Sequence, residues 1–192
     1  MLKRLQLITI IVLIVTSTNA CVTVVDAVTD NPIQPNPNKR SLGTYIDDKQ
    51  LNTIARVNIK KAHPLLSDSN VNVHSFNAVV LLTGEVPTVK LRELAGNTVR
   101  DIDRVREVYN ELVVGPQRGF FAQRLDSTLG TKIKSKLLIY KDIKSRRVEV
   151  IVEDHTVFLM GLLSKAQAEK ITKVVSETRG VKKVVRTIEY ID

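Results

Sequence analysis

The chain carries one pattern twice, and that repetition limits its fold more than any other feature. Val80-Leu81-Leu82-Thr83-Gly84 lines up with Val157-Phe158-Leu159-Met160-Gly161 at an offset of 77 residues, and Val71-Asn72-Val73 meets Val148-Glu149-Val150 at the same offset. Asp48 and Leu51 meet Asp126 and Leu129 at 78, and Arg104 to Val108 meets Gly180 to Val184 at 76. Segments that agree in order, with one-residue gaps, are the mark of a duplicated unit.

Each unit reads as the same string of elements. Leu51, Ile54, Ala55 and Ile59 in one copy, and Leu129, Ile133 and Leu137 in the other, recur at helical spacing. Alternating Val71 and Val73, and Val148, Val150 and Val152, predict strands. The apolar runs ending at Gly84 and Gly161 predict strands buried on both faces. Second helices are expected over Val89 to Ile102 and Lys165 to Thr178, the latter capped by Ser164. Last strands are expected over Val105 to Val113 and Val181 to Ile191. The fold class is α+β: each αββαβ unit makes a three-stranded mixed sheet packed against two helices. Asn77-Ala78 and Asp154-His155 occupy the hairpin turns. A two-residue primed turn needs positive φ, which strains Ala and His more than Gly, so longer or looser turns are expected.

Before the repeats, Lys3 and Arg4 precede an aliphatic run from Leu7 to Val15, then small or polar residues and Cys21, the only cysteine. The run is too short to span about 30 Å of hydrocarbon, which takes about 20 helical residues. It fits the apolar region of a secretory signal. A cysteine at the cleavage point is the residue a lipoprotein-processing system acylates. Thr18-Asn19-Ala20 lacks the leucine usual before such a cysteine and also satisfies ordinary signal cleavage, so both processing routes stay open. Asn31-Pro32-Ile33-Gln34-Pro35-Asn36-Pro37-Asn38 reads as a solvated linker. The expected organisation is a signal peptide (1–20), an acylated N-terminus and tether (21–44), a first unit (45–114), a connector (115–125) and a second unit (126–192).

Charge separates the two copies. The chain has a net charge of +9, yet Tyr45 to Val114 holds nine basic and nine acidic residues. Asp126 to Asp192 holds fourteen and nine, a net +5. Both copies share a pattern, so the fold does not require this asymmetry; it points to partners, although surplus lysine also serves solubility. Nucleic acid is the usual anionic partner of such a chain, but export argues against it and leaves phospholipid headgroups, lipopolysaccharide and cell-wall polymers as the anionic surfaces at hand. The helix expected over Asp126 to Leu138 carries Lys132, Lys134 and Lys136 around Leu129, Ile133 and Leu137. Two readings stand. A basic helix with an apolar edge can lie in a membrane interface, or the aliphatic stripe is core and the lysines are a solvated face. Thr128 opens this helix where a bulky apolar residue would aid insertion, so charge would dominate any contact. Phe120-Phe121 in the connector either enters lipid or packs on a neighbouring unit.

Chemistry-bearing constellations are missing. His63, His74 and His155 are the only histidines and lack zinc-motif spacing. There is no nucleophile elbow, Walker loop or dinucleotide fingerprint. Asp47-Asp48 reads as the start of a helix, favouring its N-terminal dipole. No cofactor is implied.

Arg40-Ser41-Leu42-Gly43-Thr44 with Asp47-Asp48, Glu107-Val108-Tyr109-Asn110-Glu111, Val157 to Leu162 and Ser176 to Lys182 resemble the BON domain, present here twice. The resemblance implies a lipid-anchored monomer on the periplasmic face of the outer membrane. It further implies no enzymatic activity, binding of anionic phospholipid by the second domain, and support of envelope integrity, including at the division site. The phospholipid-binding residues would be Thr128, Leu129, Lys132, Ile133, Lys134 and Lys136, with Cys21 as anchor. Two other readings remain: a soluble periplasmic stress protein that holds unfolded chains, and a protein-binding accessory of an outer-membrane assembly machine.

Overall fold

The computed structural model describes residues 40–139 and 147–191, all within one compact unit, Asn38–Asp192. Cys21, the signal peptide and most of the tether lie outside the described residues. Among the described residues, no helix is long and apolar enough to cross a membrane.

The first repeat runs α1 (Leu42–Ala62), a single turn α2 (Pro64–Ser67), β1 (Asn70–Phe76), β2 (Val79–Val86), α3 (Val89–Arg100), β3 (Glu107–Asn110) and β4 (Val113–Val114). The second runs α4 (Phe120–Leu138), β5 (Val148–Glu153), β6 (Thr156–Leu163), α5 (Lys165–Ser176) and β7 (Lys183–Tyr190). In each, an antiparallel hairpin is joined through a helix to a parallel last strand on the central strand. The order is β1-β2-β3 in one sheet, with β4 continuing along β2, and β5-β6-β7 in the other. Ser164 caps α5, and Gln167 returns the bond to complete a capping box. Both first helices begin earlier than their aliphatic periodicity indicates, because Ser41 caps α1 and Gly119 leads directly into α4.

The central strands explain their own composition. On β2, Val80, Leu82 and Val86 point into a core with α1 and α3, whereas Leu81 points the other way. On β6, Val157, Leu159 and Leu163 face α4 and α5, while Phe158, Met160 and Leu162 point away. Those outward residues meet: Leu81, Phe76, Ile151, Phe158, Met160 and Leu162 form a third core between the two repeats. The sheets therefore pack on each other, with helices on the outer faces. Gly161 lies where an added Cβ would sit 2.3 Å from the Arg147 carbonyl oxygen, and Gly84 combines φ of 111° with a still closer approach, 1.8 Å, to the Asn70 carbonyl oxygen. Both glycines let the hairpin partners close tightly.

The hairpin turns overturn the expectation of longer or looser loops. Phe76 pairs with Val79 and Glu153 with Thr156, leaving two-residue turns. All four turn residues have positive φ: Asn77 52°, Ala78 63°, Asp154 46° and His155 58°. An acceptor on the first helix holds each strained turn. The Asp48 carboxylate accepts from the Asn77 and Ala78 amides, both at 2.9 Å. Asp126 does the same for Asp154 and His155 at 2.9 and 3.1 Å. Charge-assisted bonds to two otherwise orphaned amides offset the left-handed backbone. Asp48 accordingly lies mid-helix and 2% exposed, not at a helix N-terminus. An arginine eight residues upstream balances each buried aspartate: Arg40 reaches Asp48 at 2.6 Å and Arg118 reaches Asp126 at 2.7 Å.

Candidate functional site

Helix α4 places the six candidate contact residues on three different sides. Leu129 and Ile133 are 8% and 0% exposed, and with Leu137 they join the core beneath β5 and β6. Of the two readings of this stripe, the structure takes the core one for Leu129 and Ile133, since both turn towards the sheet. Thr128 is exposed on the outer face, its hydroxyl donating to the Arg124 carbonyl. Lys132 and Lys136 lean towards the end of α5, where their ammonium groups donate to the Arg179 carbonyl at 3.2 Å and the Thr178 hydroxyl at 3.1 Å. Lys134 lies on the opposite flank, lining clefts with Glu149. The three lysines thus do not converge.

The outer face adds Leu125, Ser135 and Ile139 to Phe121, Thr128 and Lys132. Phe121, Leu125, Thr128, Lys132, Ser135 and Ile139 follow one another at intervals of three or four, so they share one side. Phe121 is 83% exposed and Leu125 61%. This places Phe121 in the first turn of the helix, facing outward. The signal was present in the sequence as a second stripe, but Leu129, Ile133 and Leu137 masked it with a stronger one. Arg179, beside Lys132, extends the basic edge of this face.

The histidines serve the fold. His63 Nδ1 accepts from the Leu65 amide at the start of α2. His155 Nδ1 lies 2.9 Å from the Gly180 carbonyl oxygen. His74 on β1 lies 3.9 Å from Glu149 on β5. Burial, then the charges of Arg56, Lys134 and Lys49, push its pKa down to about 4. In the unfolded chain His74 takes up a proton near pH 6.5, but in the folded chain only near 4, so stability falls as pH drops through that interval. The ceiling is roughly 3 kcal/mol, reduced because the side chain is partly exposed. The Glu149 carboxyl is raised by its own burial and works in the opposite direction as it protonates. His74→Gln should flatten the dependence of thermal midpoint on pH between 6.5 and 4, measured against the parent chain.

The second repeat is held to the first by polar groups around the shared core. Arg118 binds Glu85 at 2.5 Å and Asp126 at 2.7 Å, and also pairs with Glu153. On the opposite rim Glu189 accepts from Arg106 and Asn77 at 2.9 and 2.8 Å, which holds its carboxyl below the usual range. Helix α4 is therefore presented on a two-domain body, not on a free module.

The profile of the BON domain matches residues 47–116 and 125–192. The chain belongs to the BON-domain family. Its two BON domains are the two repeats described above, each with the hairpin, crossover helix and parallel last strand. It is 39% identical over 160 residues to the 21 kDa hemolysin of Actinobacillus pleuropneumoniae, covering 83% of this chain and 80% of that one. It is 36% identical over 153 residues to the outer membrane lipoprotein DolP of Haemophilus influenzae, covering 80% and 79%. Osmotically-inducible protein Y of Escherichia coli is 26% identical over 149 residues, covering 74% and 72%. Each of these alignments is long enough to span both BON domains.

Proposed function

We propose that this protein is a non-enzymatic outer-membrane lipoprotein, anchored through Cys21, whose second BON domain contacts anionic phospholipid on the periplasmic side and supports envelope integrity. The observation that carries this reading is the outer face of α4, where exposed Phe121, Leu125 and Ile139 lie in line with Lys132. An apolar side chain can enter the acyl boundary while ammonium groups remain among phosphates. Leu129 and Ile133 support the helix from beneath, and Thr128, Lys132, Lys136 and Arg179 supply the polar contact. The net +5 of the second repeat, against zero in the first, supports the same surface. The 36% identity with a protein named as an outer membrane lipoprotein supports the compartment and anchor.

The anchor and the helix would act together. An acyl chain alone gives marginal attachment, and a basic face supplies the second signal. Tethering makes that second contact intramolecular. Mass spectrometry of the N-terminus tests the anchor: the expected result is an acylated Cys21 that fractionates with outer membranes. An unmodified N-terminus in a soluble fraction would instead support the soluble periplasmic reading.

A protein-binding role for the first BON domain has its own support. Leu42, Ile46, Ile54 and Val57 leave apolar side chains exposed on α1, and that repeat carries no net charge. Such a face suits an envelope assembly protein better than a phosphate surface. Crosslinking from Ile46 or Val57 in intact cells is the matching measurement.

A further inference from the structure

The two BON domains enclose a cleft of about 660 Å³ away from the outer face of α4. Its first bank is the start of α1, with Leu42, Tyr45 and Lys49; its second is the end of α4, with Lys134 and Leu138. Between them lie Phe76 and the edge strand β5, with Val148, Glu149 and Val150. The apolar walls are not sealed: Leu42 and Leu138 are 80% and 69% exposed. Such a volume lies in the range that takes one small amphiphile.

The charges around the cleft favour one kind of occupant. Lys49 and Lys134 approach it from opposite domains, and neither has a carboxylate within ion-pair distance among the described residues. The Lys49 ammonium lies over the Tyr45 ring at 5.4 Å. Arg40, by contrast, is spent on Asp48 and stacks on Phe76 at 4.3 Å, closing one end. Glu149, the only carboxylate lining the cleft among the described residues, feels Lys49, Arg40 and Lys134 together, and burial raises its pKa.

We propose that this interdomain cleft binds a single long-chain fatty-acid anion, its chain against Leu42, Tyr45, Leu138 and Val148 and its carboxylate between Lys49 and Lys134. The apolar walls provide for the chain, and two cations from different domains provide for one small anionic head. This site is separate from the membrane-facing side of α4, so either can fail without the other.

The test titrates oleate, below its aggregation range, into the full mature chain carrying Cys21→Ser, so that no acyl group of its own competes. Saturable one-to-one binding is expected. Leu42→Asp with Leu138→Asp should abolish it, and Lys49→Glu with Lys134→Glu should weaken it on the order of tenfold or more. All four positions are exposed, so the fold is expected to survive, and circular dichroism verifies this. Lys132→Glu with Arg179→Glu should leave oleate binding unchanged. Equal binding of oleyl alcohol, or oleate binding indifferent to the cleft variants, would overturn the proposal. Binding to the Cys21→Ser chain but not to the acylated chain would put the protein's own acyl group in the cleft and equally overturn it.

Discussion

Arg118→Ala is expected to destabilise the folded chain by about 3–5 kcal/mol, the usual cost of removing one partner from a buried ion pair. Arg118 stands in the connector between the repeats, and its guanidinium joins Glu85 of β2, Asp126 of α4 and Glu153 of β5. Glu85 and Asp126 are both buried. Burial works against the charged guanidinium, but its bonds to Glu85 and Asp126 outweigh that and raise its pKa. Without Arg118, Glu85, Asp126 and Glu153 would lose the cation that they share at the domain boundary. Asp126 would also have to hold the Asp154-His155 turn alone. Arg118→Lys should recover only part of the loss, since a single ammonium does not fork towards separate acceptors. Denaturant unfolding measures both variants, and a loss below about 1 kcal/mol for Arg118→Ala would show that the clamp contributes little.

The same clamp predicts acid sensitivity. Burial alone would raise the Asp126 pKa, but the His155 amide, Arg118 and the Asp154 amide together lower it. A depressed carboxylate contributes stability above its unfolded pKa, near 3.9, and that contribution is lost as pH falls through the lower folded value. This loss lies at more acidic pH than that of His74.

Reversing the basic edge of α4 should have the largest effect on vesicle binding. Each cation near an anionic bilayer contributes about 1 kcal/mol. Lys132→Glu, Lys136→Glu and Arg179→Glu together should therefore weaken association with phosphatidylglycerol vesicles by more than about 100-fold, since 1.4 kcal/mol is tenfold. Raising salt should weaken the parent protein in the same direction by screening. Lys134→Glu, on the far flank of the helix, should have a smaller effect. Co-sedimentation reads all of these, and unchanged pelleting of the triple variant would remove α4 as the contact. A parallel loss of thermal stability would point instead to the bonds that Lys132 and Lys136 make to Arg179 and Thr178.

Much of the architecture was legible because it rests on local pattern. The apolar runs through Gly84 and Gly161 announce strands buried on both faces, and the structure buries them between helices and a second sheet. Ser164 announces a helix start, and the structure caps α5 there. The turns were not legible in this way. Ala78 and His155 look unsuited to positive φ until Asp48 and Asp126, about 30 residues earlier, are seen to accept their amides. The candidate site was half legible for a related reason. Periodicity showed that Leu129, Ile133 and Leu137 share a side of a helix, but either a core or a bilayer could satisfy such a stripe.

The sequence by itself determined the duplication, the αββαβ order and the charge difference between the copies, because these depend on spacing and composition along the chain. Tertiary structure alone decided that Leu129 and Ile133 face protein, that Phe121 and Leu125 face outward, and that Lys134 parts company with Lys132 and Lys136. It also decided that Arg118 ties the two repeats together. The physical reason is the same in each case: burial and ion pairing depend on which surfaces meet, and the face of each sheet left free by its own helices is covered only by the other repeat.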